Sequence, residues 1–158
     1  MVAELRKTNQ NLYETDYNLW VLETVVKLKN KDLDNLDWEN LIEEVEDLSR
    51  RDKKKLKSLL RLLFEHLLKL SYWKSEEQNN RNHWEAEIIN FRQLIEDELA
   101  DSPSLKVYLQ EIWQECYQYG RKIAAKRSQL PLSTFPEEPI ATLEQILNED
   151  WLPYAIAR

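Results

Sequence analysis

The sequence predicts an all-α protein: an antiparallel helical bundle of four to five main helices with an extended C-terminal strap and a short terminal helix. Three observations predict it. Apolar residues recur at three- and four-residue spacing along most of the 158 residues. No segment alternates apolar and polar residues as a half-buried strand does. Glycine occurs once, at Gly120, so the positive-φ residues that tight hairpins favour are missing. The length fits one helical domain over 1–158, with a core over 12–129 and the strap over 130–158.

The first helix is expected from Thr15, as its cap, to Asn30, with Tyr17, Trp20, Val21, Val25 and Leu28 at helical spacing. The polar stretch from Lys31 to Leu36 breaks it. Asp37 caps a second start, followed by Leu41, Ile42, Val45 and Leu48. The next stripe is Leu56, Leu59, Leu63, Leu67 and Leu70, which continues the same face if one helix runs from Trp38 to Trp73. In that case Asp52 falls near the middle of the apolar face, where an unpaired buried carboxylate is costly. A break is therefore expected at Ser49-Arg50-Arg51-Asp52, which has the form of a capping box. An unbroken rod would leave one half as a two-helix hairpin unable to bury its apolar face. Either the chain bends near Ser49 or another molecule covers that half.

Asn80 or Asn82 is expected to open the next helix, with Trp84, Ile88, Phe91, Ile95 and Leu99 as its stripe. Ser102 caps a further helix and Pro103 takes its first position. Leu105, Leu109, Ile112, Cys116 and Ile123 form its inner face. Arg121, Lys122, Lys126 and Arg127 suit its negative C-terminal end. From Leu130 the composition shifts to the extended PLSTFPEEP. Thr142 and Gln145 have capping-box spacing ahead of Leu143, Ile146 and Leu147, and Trp151 and Leu152 pack back.

These strings, taken in order, resemble a known family. They are Asp16-Tyr17 with Trp20, then Asn40-Leu41-Ile42-Glu43-Glu44-Val45-Glu46, His66-Leu67-Leu68-Lys69, Trp84, Pro103-Ser104-Leu105, and Phe135-Pro136 with Pro139. The match, over about Leu12 to Pro153, is to the cyanobacteria-rich domain-of-unknown-function family number twenty-nine. The resemblance implies a single helical domain in the cytoplasm and no assigned activity. Members often carry a cysteine before the last matched proline. Glu138 stands there in this chain, so the resemblance implies no thiol function in the strap.

Composition narrows the function. With one glycine, P-loops, dinucleotide fingerprints and glycine-rich kinase loops are excluded. Cys116 is the only cysteine, so neither an internal disulfide nor a cysteine zinc cluster can form. A net charge of −7 argues against nucleic acid as a partner. The segment MVAELRKTNQ has no apolar signal core and no run reaches membrane-spanning length, so a cytoplasmic protein without membrane contact is expected.

Two readings of function remain. The first is a non-enzymatic protein–protein interaction or self-association module. Its candidate residues are Trp38, Arg50, Arg51, Lys53 and Lys54, where a basic block follows an acidic one over residues 32–57. Such a segment is self-complementary when two copies lie antiparallel about a two-fold axis. The partner is then a second copy or an adaptor protein. The second reading is a metal-dependent enzyme. Helix levelling places His66 beside Glu87 and Cys116, a donor set suited to a divalent ion. A lone histidine beside an apolar stripe is more often a packed core residue, and no cofactor is otherwise expected. Glu43, Glu44 and Glu46 lack the Glu-x-x-His pattern of di-metal bundles and read as a solvated acidic face. Asp16 is expected to pair with Arg50 or Arg51.

Overall fold

The structure, a computed structural model, describes residues 12–153; the segment MVAELRKTNQ read above lies outside them. Four main helices carry the described residues, with no strand among them: α1 (Tyr17–Lys29), α2 (Trp38–Tyr72), α3 (Lys74–Asp101) and α4 (Leu105–Ser128). Besides them come a helical turn over 12–15 ahead of α1, a short α5 (Leu143–Leu147) and two 3₁₀ turns, Leu33–Asn35 and Leu132–Thr134. No described helix is long and apolar enough to cross a membrane. The chain divides into two compact units, Met1–Arg51 and Asp52–Arg158.

The first unit is a helical hairpin. Asp16, rather than Thr15, caps α1, its carboxylate accepting from the Leu19 amide at 3.0 Å. That role displaces the expected pairing of Asp16 with Arg50 or Arg51. Asp37 stands ahead of α2 and accepts from the Asn40 side-chain amide at 2.7 Å. The hairpin closes on polar contacts. Glu44 accepts from the Tyr13 hydroxyl at 2.6 Å and from Tyr17 at 2.7 Å, and the Trp20 indole donates to Asp37 at 3.2 Å. Residues far apart in sequence pair across one end and residues close in sequence across the other, as an antiparallel pair requires. The hydroxyl bonds hold the Glu44 carboxyl below its usual range and push Tyr13 up to about 12.

The expected break in the central helix does not occur: α2 runs unbroken through Ser49–Asp52. The argument for a break was the cost of burying Asp52, and Asp52 is exposed, so that cost never arises. Arg50 further supports the helix, reaching back to Glu43 at 3.0 Å, Glu46 at 3.9 Å and Asp47 at 2.7 Å.

In the second unit the part of α2 after Asp52, with α3 and α4, surrounds an apolar core. Leu56, Leu60, Leu63, Phe64 and Leu67 are fully buried against Ile88, Ile95, Leu109, Cys116 and Tyr117. Each such leucine contributes about 1.5–3 kcal/mol. Helix α3 begins at Lys74, so Asn80 and Asn82 lie inside it rather than at its start. Asn80 instead turns its amide to the Glu76 carbonyl at 3.1 Å. Helix α4 begins at Leu105, and Pro103 stays in the preceding turn. The capping box of Thr142 and Gln145 forms as expected.

Gly120 sets the register of α4 on α2. A Cβ there would stand 2.9 Å from Phe64 Cβ, 3.0 Å from the Glu65 amide nitrogen and 3.1 Å from the Arg61 carbonyl oxygen. Two of these neighbours are main chain and cannot swing aside. Gly120→Ala is therefore expected to lower stability by about 1–3 kcal/mol in urea unfolding, despite alanine's better helix propensity. Unchanged or increased stability would show that the two helices separate freely.

The strap is held by side chains reaching its carbonyls. Arg121 donates to Phe135 at 3.0 Å and to Leu132 at 3.2 Å, and Tyr117 donates to Pro136 at 2.6 Å. Phe135 is fully buried, edge-on to Tyr72 at 5.8 Å. A strap without a sheet partner thus has its carbonyls satisfied.

Candidate interaction surface

His66, Glu87 and Cys116 do not converge on one ion. His66 is buried; its Nδ1–H donates to the Leu62 carbonyl at 2.8 Å, and its ring stands edge-on to Phe91 at 5.1 Å. Glu87 lies close enough to act on the His66 charge. Cys116 contacts the Lys57 carbonyl at 3.8 Å, on α2 but about nine residues and ~14 Å along the axis from His66. The levelling failed at α4, whose register follows from the close approach at Gly120 rather than from the turn before it. Burial also pushes the Cys116 thiol up to about 11, away from the thiolate a metal ligand needs. Among the described residues no group of three or more His, Cys, Asp or Glu side chains is placed to hold a metal ion.

Burial lowers the His66 pKa from 6.5, and the Lys69 charge lowers it further, against the Leu62 carbonyl, Glu65 and Glu87. The folded state thus binds fewer protons at this site than the unfolded chain. Its contribution to stability is complete above 6.5 and is lost as pH falls through the lowered folded value. His66→Gln is expected to flatten the fall in melting temperature between about pH 7 and 5. An identical slope in the variant would remove His66 from the acid response.

The candidate interaction residues are spread over different tasks. Arg50 is tied to its own helix, and Arg51 lies 3.8 Å from Glu44. Lys53 stands over the Tyr108 ring at 5.4 Å, and Lys54 is exposed. Trp38 is 48% exposed, its indole donating to the Leu33 carbonyl at 3.0 Å, which holds the ring at the start of α2. The basic block is therefore partly neutralised within the chain.

What the hairpin exposes is apolar. Of the fifteen large hydrophobic residues that are exposed among the described residues, eleven lie between Tyr17 and Leu48. On α2 they are Trp38, Ile42, Val45 and Leu48, the last three between 54% and 59% exposed. Projected at 100° per residue, this stripe lies about 100° round the helix from the Asp37, Asn40 and Glu44 side that meets α1. Val21, Val25 and Leu28 are rotated about as far, in the same sense, from the Tyr17 and Trp20 side of α1. For two antiparallel right-handed helices, equal rotation in one sense places both stripes on the same side of the pair. Leu19, Leu22 and Val26 occupy the outer face of α1, so that helix is apolar nearly all round, a pattern proper to a buried helix.

Sequence reading left two covers for this stripe, a bend of the chain near Ser49 or another molecule, and the unbroken α2 removes the break on which the first rested. That reading missed Glu44 as the clasp of the hairpin, for which the tyrosines at four-residue spacing, Tyr13 and Tyr17, were the available signal. It also missed Glu65, 3% exposed, which holds Lys69 at 3.1 Å and Arg127 at 3.0 Å.

The fold and this surface define an all-α protein whose N-terminal unit presents, on two antiparallel helices, an apolar face left exposed among the described residues. The chain belongs to the family described as Domain of unknown function DUF29, whose model matches residues 12–152. No curated protein matches it, and no solved structure does. The strings that carry the family resemblance prove to be structural clasps. Tyr17, Trp20, Asn40 and Glu44 close the hairpin, while Lys69 pairs with Glu65 and faces the Trp84 ring at 5.5 Å.

Proposed function

We propose that this protein is a self-associating, non-enzymatic interaction module in which two copies pack hairpin to hairpin. The observation that supports this reading is the gathering of exposed apolar side chains on residues 17–48. The stripe shared by the two helices, with Val25, Leu28, Trp38, Ile42, Val45 and Leu48 about half open, presents on the order of 500 Å² per copy. A standard interface takes ~800 Å² from each partner, of which ~450 Å² is apolar, and this stripe supplies that share. A second copy is the favoured occupant because a stripe shared by two antiparallel helices matches itself about a two-fold axis and yields a four-helix contact. With α2 antiparallel to its counterpart and centred near Val45, Glu39 of one copy falls level with Arg50 of the other. Glu39 has no ion-pair partner among the described residues of its own chain.

Native mass spectrometry of the untagged chain at micromolar concentration tests the reading. A species of twice the 19.1 kDa chain mass is the expected result. A purely monomeric protein across that range would overturn self-association.

A further inference from the structure

A second feature, wholly within Asp52–Arg158, is independent of the hairpin. Arg92 on α3 is 3% exposed, its Nε donating to the Ile146 carbonyl at 2.8 Å. Its Nη2 is buried with no partner, and no carboxylate among the described residues lies within ion-pair distance of it. Buried guanidinium groups are ordinarily paired, because an uncompensated charge away from water is costly. Arg92 lines a cavity of about 630 Å³, a size ordinary for small-molecule sites. Lys106, in the first turn of the 24-residue α4, lines it too. Leu99 and Leu147 supply apolar wall, and Glu96, Glu149 and Asp150 supply three carboxylates.

A guanidinium with an unpartnered N–H beside a cavity is matched by an oxyanion, which accepts that hydrogen bond and balances the charge. The acidic wall decides which oxyanion. A multiply charged phosphate would meet three carboxylates against two cations, whereas a carboxylate carried with an ammonium group satisfies both walls. We infer that the cavity binds a small amino-acid-like zwitterion, with its carboxylate on Arg92, its ammonium toward Glu96, Glu149 and Asp150, and an aliphatic body against Leu99 and Leu147. Burial draws the Arg92 pKa down to about 10, countered by Glu149, and a bound carboxylate would offset that cost as a counter-ion.

Isothermal titration of the full chain with L-leucine, 4-methylpentanoate, 3-methylbutylamine and inorganic phosphate tests the assignment. L-leucine is expected to bind below about 10 mM, and at least tenfold more tightly than either half-molecule or phosphate. Arg92→Lys keeps the charge but loses the Nη2 donor and is expected to weaken leucine tenfold or more. Leu99→Trp fills the cavity without touching the guanidinium and is expected to abolish binding with an unchanged circular dichroism spectrum. No leucine binding by the wild-type chain would overturn the proposal. Equal binding of 4-methylpentanoate, tighter binding of phosphate, or undiminished binding in Leu99→Trp would overturn it equally.

Discussion

Replacing Ile42 and Val45 together by lysine is expected to abolish the proposed pairing of hairpins, leaving a monomer with an unchanged helical spectrum. Both side chains are more than half exposed in the single chain, at 54% and 59%, so lysine at either position costs the monomer little. In the pair, four such side chains lose water contact, about 100 Å² each. At ~25 cal/mol per Å² the transfer term far exceeds the ~4 kcal/mol that corresponds to a thousandfold change in affinity. Four ammonium groups brought together at the two-fold axis add repulsion. The expected outcome is a loss of at least about a thousandfold in dimer affinity, read by light scattering over a dilution series. Glu39→Lys should weaken the pair by much less, since a rim charge contributes little. A double variant that remains dimeric would move the contact elsewhere on the chain.

The second large effect concerns Glu65. Its carboxylate is the counter-ion of Lys69, itself 6% exposed, and of Arg127 across from α4. Removing one partner of a buried ion group leaves the other charge stranded, which costs about 3–5 kcal/mol. Glu65→Leu is expected to fall in that range in urea unfolding, with a melting temperature lower by roughly 10 °C. The double replacement Glu65→Leu with Lys69→Leu should recover most of the loss, because two apolar groups then fill the space of a desolvated pair. If the single variant loses less than about 1 kcal/mol, or the double variant recovers nothing, Lys69 is not held by Glu65.

Much of the architecture was legible in the chain. The stripes from Leu56 to Leu70 and from Trp84 to Leu99, and the box at Thr142, each state a local rule that the fold obeys. Helix starts were less legible. Thr15 was read as the cap of α1, but the adjacent Asp16 takes the Leu19 amide, and only the path of the chain selects between the two. Asn80 reads as a cap by type, yet Lys74 to Arg81 remains helical, joined by ion pairs of Glu77 with Lys74 at 3.7 Å and Arg81 at 2.6 Å.

The site residues divide in the same way. That His66 packs rather than ligates was the ordinary expectation for a lone histidine on an apolar face. That Cys116 meets Lys57 was not legible, because register between helices depends on where backbones touch, and Gly120 reports a close approach without naming its partner. Arg92 gave no signal at all. Its burial comes from the Ile146 carbonyl, fifty-four residues away in sequence.

By itself, the sequence determined the helical class, the order of the elements and the exclusion of every chemistry that needs glycine loops or paired cysteines. These follow from periodicity and composition, which are local. Only the tertiary structure decided whether α2 bends at Ser49. A helix continues wherever its backbone bonds are satisfied, and the energy against continuing depended on whether Asp52 would be buried. Asp52 is exposed, α2 is continuous through that point, and the apolar stripe from Trp38 to Leu48 is exposed. An apolar face carries the same sequence pattern whether its own chain or another molecule covers it, since the hydrophobic effect rewards the area removed from water and not the identity of the cover.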